Sequence, residues 1–286
     1  MEIPPIIDFD PAEGYIFPEK VVPRLSSRAF MAEIRAFAVS PGQVAMWHLG
    51  NNGWILKDSR GVLTAIDPYL TDFCASKRTG VPTVKSRILP VFIEPEDFDA
   101  DVIVITHSHC DHCDPWTVER LACRTTAVFL APWQAYEVLG TCGVPDSQRI
   151  LMHPRQTVTV RGVEVMGAFA EPTDATDLNH MGFVFRFAGN RVYYNSGDTA
   201  KSELLGHVKE WAPEWMSICI NGGYHNLSAW EAAEICALIQ PKIAIPAHYD
   251  TMPHNLQPPH MFRKSLYEKA KNVAYLRLEY YRAYLF

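Results

Sequence analysis

Thr106-His107-Ser108-His109-Cys110-Asp111-His112-Cys113-Asp114 sets three histidines and two aspartates into the eight positions from His107 to Asp114. The stretch stands directly behind Val102–Ile105, a four-residue apolar run bounded by Asp99 and Asp101. Such a run reads as a fully buried strand. Side chains at i and i+2 of an extended chain share a face, so His107 and His109 can converge on one ion. Asp111 and His112 fall where the chain turns into a helix and can reach a second ion. Asp114-Pro115 supplies an N-cap and a first-turn proline, which predicts a helix over Trp116–Ala122. Neutral imidazole and carboxylate are ligands suited to Zn, Mn or Fe.

Outward from this stretch, the chain alternates short apolar runs with turn signals. Val44–Leu49, Trp54–Lys57 and Val62–Ile66 are separated by Gly50-Asn51-Asn52-Gly53 and by Asp58-Ser59-Arg60-Gly61, which are hairpin turns. Residues 70–98 lack periodicity, carry Pro82, Pro90 and Pro95, and read as a long loop. Further strands are expected at Ala127–Leu130, Val158–Val160, Val163–Ala168, Gly182–Phe187, Val192–Asn195, Met216–Ile220 and Ile243–Pro246. Ser228-Ala229-Trp230-Glu231 is a capping box, and Ala232, Ile235, Cys236 and Ile239 behind it repeat at helical spacing. Met261–Lys271 reads as a last helix and Leu276–Phe286 as an aromatic closing segment. Before the strands, Ser26–Phe37 reads as one helix behind a Pro-rich arm. Residues 1–42 are thus an N-terminal arm and helix, and 43–286 the main domain. The order predicts an α/β (α+β) chain with two mixed sheets and helices outside them.

Composition narrows the function. The 286 residues are 48% hydrophobic and 20% charged, which excludes a disordered or fibrous chain. The net charge of −6, without a basic stripe, argues against nucleic acid as a partner. No run approaches a membrane span, and the start lacks the basic and apolar regions of a signal peptide. Seven cysteines, an odd number, fit reduced thiols in a cytoplasmic protein. A small-molecule substrate is the partner this leaves. The arm and tail could pack on a second copy or on their own core, so a homo-oligomer stays open.

The His/Asp stretch resembles the HxHxDH signature of the metallo-β-lactamase superfamily. Three other places follow that superfamily in the right order. Ile66-Asp67-Pro68 matches its early aspartate beneath the site. Tyr193-Tyr194-Asn195-Ser196-Gly197-Asp198 matches its bridging aspartate, and Ile243-Ala244-Ile245-Pro246-Ala247-His248 its final histidine. Within the superfamily the chain is similar to the L-ascorbate-6-phosphate lactonase group. Ala45 to Lys57, Ser196-Gly197-Asp198 and Ile245 to Asp250 carry that likeness. The resemblance implies a four-layer αββα metallo-β-lactamase sandwich and two divalent metal ions, Zn, Mn or Fe. It implies His107, His109, Asp111, His112, Asp198 and His248 as metal ligands, with Asp198 as the bridge. The superfamily places a third histidine for the first ion between HxHxDH and the bridge. In the segment Glu171 to Phe183, His180 suits that place, and Asp174, Asp177 and Glu171 are alternatives.

Two ions bridged by one oxygen generate hydroxide from water without a strong base, and they stabilise the oxyanion that follows. Asp111 is the expected proton carrier. The expected activity is hydrolysis of a lactone or related ester of a polar, sugar-like substrate. Phosphodiester hydrolysis, a non-hydrolytic metal-binding module and a di-iron redox centre are the alternatives. His225, Tyr249 and His254 are candidate substrate contacts, and Asp250 a candidate partner orienting a ligand histidine. Lys77, Arg78, Arg155 and Lys201 are candidate phosphate contacts. Cys110 and Cys113 form a C-x-x-C without a second such pair, so a structural zinc is not expected there. His48 is expected in the core or pocket wall; His153, His207 and His260 are expected in solvent; Trp47, Trp54 and Trp230 are expected in the core.

Overall fold

A computed structural model of the chain describes residues 21–76 and 86–286. The Pro-rich arm before Val21, together with Lys77, Arg78 and Pro82, lies outside the described residues.

Two seven-stranded sheets face each other. The first runs β14 (Tyr284–Leu285), β1 (Val44–Gly50), β2 (Gly53–Asp58), β3 (Leu63–Ile66), β4 (Val102–Val104), β5 (Val128–Ala131) and β6 (Arg149–Leu151). The second runs β13 (Ala274–Tyr275), β12 (Ile243–Ala247), β11 (Trp215–Cys219), β10 (Arg191–Asn195), β9 (Met181–Phe187), β8 (Val163–Phe169) and β7 (Thr157–Val160). In each sheet antiparallel pairs occupy one part and parallel pairs the other: β3 to β6 are parallel in the first, β10 to β13 in the second.

Period-two alternation explains the layers. In β1, Val44 and Met46 point into the inter-sheet core beside Val165, Phe183, Phe185, Tyr193 and Trp215 of the second sheet. Ala45, Trp47 and Leu49 point outward, where α1 (Ser27–Ala36), α2 (Pro115–Ala122) and α3 (Trp133–Thr141) cover them. On the far side α4 (Ala229–Ile239) and α5 (Pro259–Lys269) cover the outer face of the second sheet through Ala232, Ile235, Cys236, Phe262 and Leu266. The result is the expected four-layer αββα sandwich.

The caps form as the sequence requires. Asp114 accepts from Trp116 N with Pro115 at the first helical position of α2, and Ser228 and Glu231 close both halves of the α4 capping box. Four elements depart from expectation: the strands β6, β13 and β14, of two or three residues each and too short for a periodic signal, and α3, because Trp133–Thr141 has little polar–apolar contrast and Trp133 is 53% exposed. Trp230 is also a correction: it is 42% exposed on α4, with the Lys269 ammonium over its ring at 4.2 Å. Trp47 and Trp54 are buried. His207 is half-buried, its Nδ1 donating to Leu204 O. His153 and His260 are exposed. Among the described residues no helix is long and apolar enough to cross a membrane.

The parallel strands of both sheets end at one edge. Asp67 follows β3, His107 to Asp114 follow β4, Ser196 to Asp198 follow β10, and His248 follows β12. Open α/β sheets bind ligands outside the carboxyl ends of their strands, and the chemistry-bearing residues gather at that edge.

Candidate metal centre

The strand β4 delivers Thr106 and His107 fully buried at its end. A tight turn follows, in which His112 N and Cys113 N both donate to His109 O, and α2 begins at once. His107 Nε2 lies 3.0 Å from His109 Nδ1. The His180 ring centroid is 4.1 Å from that of His107 and 5.2 Å from that of His109. Ligand atoms of His107, His109 and His180 all lie within 4.8 Å of one another.

A second set adjoins the first. His112 Nε2 and His248 Nε2 are 3.1 Å apart, and Asp111 Oδ2 is 3.2 Å from His248 Nε2. Asp198 spans the two: its Oδ1 is 3.4 Å from His112 Nε2 and its Oδ2 3.4 Å from His248 Nε2. It also groups with His107 and His112 within the same 4.8 Å limit. Asp198 therefore touches both sets.

The ring nitrogens facing away from the site are held. Thr106 Oγ1 is 3.0 Å from His107 Nδ1, and Thr176 Oγ1 is 2.9 Å from His109 Nε2. His180 Nδ1 donates to Asp198 O at 3.0 Å. His112 Nδ1 donates to Asp67 Oδ2 at 2.7 Å, and the Asn255 amide lies 3.3 Å from His248 Nδ1. Such partners fix tautomer and ring orientation in metal sites. On His107, His109, His112 and His180 they leave nitrogen lone pairs pointing inward, an arrangement that repels unless a proton or cation lies between them.

The donor set fits divalent cations. His180 Nε2 and Asp198 Oδ1 are buried with no hydrogen-bond partner, a costly condition for polar atoms unless a ligand meets them. With metal–nitrogen bonds of about 2.0–2.1 Å, neighbouring ligand atoms of a tetrahedral ion stand roughly 3.3 Å apart. The separations of 3.0–3.4 Å found here match that edge. The residues that would hold such ions are His107, His109 and His180 on one side, Asp111, His112 and His248 on the other, and Asp198 between.

Charge balance agrees. Burial opposes a proton on His112, yet Asp198, Asp111 and Asp67 outweigh it and push the imidazole up to about 10. Burial likewise opposes charge on His248, and Asp198 and Asp111 raise it. Burial and the neighbouring imidazoles lower His107. Burial works against ionising Asp111 and Asp198, but His112 and His248 hold both below the usual carboxylate range. The pocket stabilises positive charge at the place where the lone pairs converge.

The backbone is strained where it presents these groups. Asn51, Asp67 and His248 adopt φ of +54°, +42° and +58°. Left-handed conformations in non-glycine residues cluster at functional sites, where surrounding structure over-determines them. Gly197 has φ +60°, and a Cβ there would stand 2.9 Å from both Met181 O and Thr106 Cβ. Only glycine lets β10 hand Asp198 to the site this closely.

Among the alternatives for the third position of the first set, His180 is the one that converges. Asp174 lies on the opposite side of His109, 3.6 Å from Nε2. Asp177 is buried and spends its oxygens on Ser108 N and Asn179 N, each at 2.7 Å. The Glu171 backbone pairs with Ala200 at the site's margin.

Asp67 accepts from Asn52 Nδ2, Thr106 N and Thr106 Oγ1 as well as from His112. Asp250 is a correction. It orients no ligand histidine; its oxygens accept from Asn51 N at 3.0 Å, Thr251 Oγ1 at 3.0 Å and Tyr280 OH at 2.5 Å. Asn51 in turn donates from Nδ2 to Asp111 O and Oδ2, at 3.0 and 3.2 Å. Its carbonyl accepts from His248 N at 2.9 Å. Tyr249 is 1% exposed in the core beneath α5, which removes it from substrate contact. His48 is buried too, stacked on Trp54 with ring centroids 4.0 Å apart. His225 Nδ1 donates to Thr173 O, and its neighbour Tyr224 meets His254 edge to face. These two loops flank the centre through Asn226, whose Nδ2 donates to Asp198 Oδ2 at 2.6 Å, and through Asn255. Arg155 and Lys201 are surface residues paired with Glu210 and Glu234.

Sequence reasoning missed Asn51, Asn226 and Asn255. Asparagine in a turn reads as turn chemistry; the available signal was Asn51-Asn52 inside the hairpin that carried the resemblance.

A facing pair of mixed sheets, with two histidine–aspartate sets meeting at a shared aspartate, defines the metal-dependent hydrolases of the metallo-β-lactamase class. The chain belongs to the β-lactamase superfamily domain family, whose profile matches residues 46–248. It is 28% identical over 247 residues to a UPF0173 metal-dependent hydrolase of Archaeoglobus fulgidus, covering 83% of this chain and 97% of that one. It is 27% identical over 210 residues to UPF0173 metal-dependent hydrolase Ta0764 of Thermoplasma acidophilum, covering 72% and 83%. Its fold is similar to Igni18, a metallo hydrolase of Ignicoccus hospitalis, with TM-score 0.67 and 21% identity over 85% of this chain and 98% of that one.

Proposed function

We propose that this metal-dependent hydrolase opens a lactone or related ester of a polar, sugar-like small molecule. The observation that carries the hydrolytic reading is the pair of ligand sets joined at Asp198. Divalent cations held there would supply Lewis acidity and a water of low pKa. The substrate reading rests on the hairpin from Ala45 to Lys57, which carries the likeness to the lactonase group. Its apex residue Asn51 is also the group that holds Asp111.

The chain's own residues then have distinct tasks. Asp111 is ionised and stands beside His248, so its Oδ2 can accept a proton as water adds to the carbonyl carbon. It can return that proton to the ring oxygen as the ester bond breaks, giving the hydroxy acid. Asn51 restrains Asp111 through two contacts, and Asn226 restrains Asp198. Tyr224, His225 and His254 stand on the loops that flank the centre and are the candidate contacts for a hydroxyl-bearing substrate.

The test is turnover by metal-reconstituted protein on a panel of sugar lactones and on bis-p-nitrophenyl phosphate. Lactone opening is expected, and Asp111→Asn should lower kcat by about 10²–10⁴ with little change in KM, the range for general acid–base catalysis. Phosphodiester turnover without lactone turnover would overturn the substrate reading.

A further inference from the structure

Two thiols sit against the metal centre, beside Asp111. Cys74 Sγ and Cys110 Sγ are 2.8 Å apart without being bonded. Cys74 lies in the single turn Phe73–Ala75, 5% exposed, packed with Tyr69 and Met252. Cys110 is half-exposed and stands in the chain between His109 and Asp111. Cys74, Cys110 and Asp111 place their side-chain donor atoms within 4.8 Å of one another. Cys113, the other half of the C-x-x-C, is turned wholly into the core beneath α2 and α3.

We propose that Cys74 and Cys110 form a reversible disulfide under peroxide, and that this bond switches the adjoining centre down. The more exposed thiol reacts first: Cys110 S–H is oxidised by hydrogen peroxide to S–OH, releasing one water. The Cys74 sulfur then attacks Cys110 sulfur. The new S–S bond replaces S–O, and the departing hydroxide leaves with the Cys74 proton as a second water. Overall two thiols and one peroxide give one disulfide and two waters. A dithiol reductant reverses it by exchange.

The geometry supports each step. The two sulfurs are already neighbours, so reaching the bonded distance of about 2.05 Å needs only a sub-ångström shift. Cys74 is buried with its sulfur against Cys110, which places it to resolve a sulfenic acid there. Because Cys110 separates His109 from Asp111, drawing it toward Cys74 moves two ligand-bearing positions at once.

The test uses the full-length, metal-loaded protein treated with hydrogen peroxide and alkylated without reduction. Peptide mapping should show the Cys74 and Cys110 peptides joined, two hydrogens lighter than the pair of reduced peptides, and separated again by dithiothreitol. Activity on the best ester substrate should fall in parallel with cross-linking, by up to on the order of 10²-fold, and return with dithiothreitol. Cys74→Ser should show no cross-link and no dithiothreitol-reversible loss. Free thiols at both positions, or sulfinic acid on Cys110 without a cross-link, would overturn the proposal. A cross-link with unchanged activity would overturn its coupling to the centre. The mass readout stands whether or not the substrate reading holds.

Discussion

Asp67 shows how much one residue can carry. Four donors from three residues, Asn52, Thr106 and His112, converge on its carboxylate, which is wholly buried. The His112 contact fixes Nδ1 as the protonated nitrogen and aims Nε2 inward. Asp67→Asn keeps the shape but removes the charge that makes this bond strong. Removing such a partner typically costs 10–100-fold in metal affinity. That loss is expected in a chelator competition titration, with near-normal secondary structure by circular dichroism. An unchanged affinity would show that His112 is oriented by packing alone. Gly197 makes a steric counterpart: Gly197→Ala must displace Met181 O or Thr106, both of which build the site.

At the scale of elements, the site depends on where strands stop and helices start. The α2 cap is part of the site's architecture, since Asp114 closes the loop that bears His107 to His112 and also accepts from Thr71 Oγ1. The α4 cap supplies no ligand itself, and stands two residues beyond Asn226, which donates to Asp198. Ser228→Ala removes the hydroxyl half of that capping box, leaving the Ser228 N–H on Glu231, and should cost about 1 kcal/mol. Urea unfolding should show a lower midpoint at unchanged slope, with activity retained. A fall in activity at unchanged stability would instead implicate the loop 221–228, which leads into α4 and carries Asn226. The β1–β2 hairpin is the element with most reach. Its apex turns the chain left-handed at Asn51, and so ties Asp111 to the distant segment that carries His248 and Asp250.

For the whole molecule, the centre is a joint between sheets. His107, His109, Asp111 and His112 come from loops of the first sheet; His180, Asp198 and His248 come from the second. A cation bound by both would tie the halves together and neutralise carboxylates that otherwise face each other. Ligand linkage gives about 4 kcal/mol at a thousand-fold excess over Kd. At roughly 2–3 °C per kcal/mol for a chain of this size, removal of metal should lower Tm by about 10 °C. Differential scanning calorimetry before and after chelator dialysis, with re-addition of Zn or Mn, checks this. Coincident melting curves would mean that the apolar core alone joins the sheets.

The fold was legible because its signals are local. Apolar runs of period two, hairpin turns, the Asp114-Pro115 start and the Ser228–Glu231 box each act within a few residues, and each element formed near its expected bounds. α3 escaped because weak amphipathicity leaves no periodic signal. The candidate donors and their order are legible for a chemical reason: few environments favour three histidines and two aspartates directly behind a buried strand. Which residue completes the first set was not, since His180, Asp174, Asp177 and Glu171 are equivalent as donors in an irregular segment. Only three-dimensional packing turns His180 inward, pins Asp177 on backbone amides, and buries Tyr249. The same holds for Asn51 and for the pairing of Cys110 with Cys74 rather than Cys113. Sequence determines what each short segment can form and which donors it carries. The closure of two sheets decides which distant side chains share one small, dry volume, because that depends on contacts between segments that no local pattern encodes.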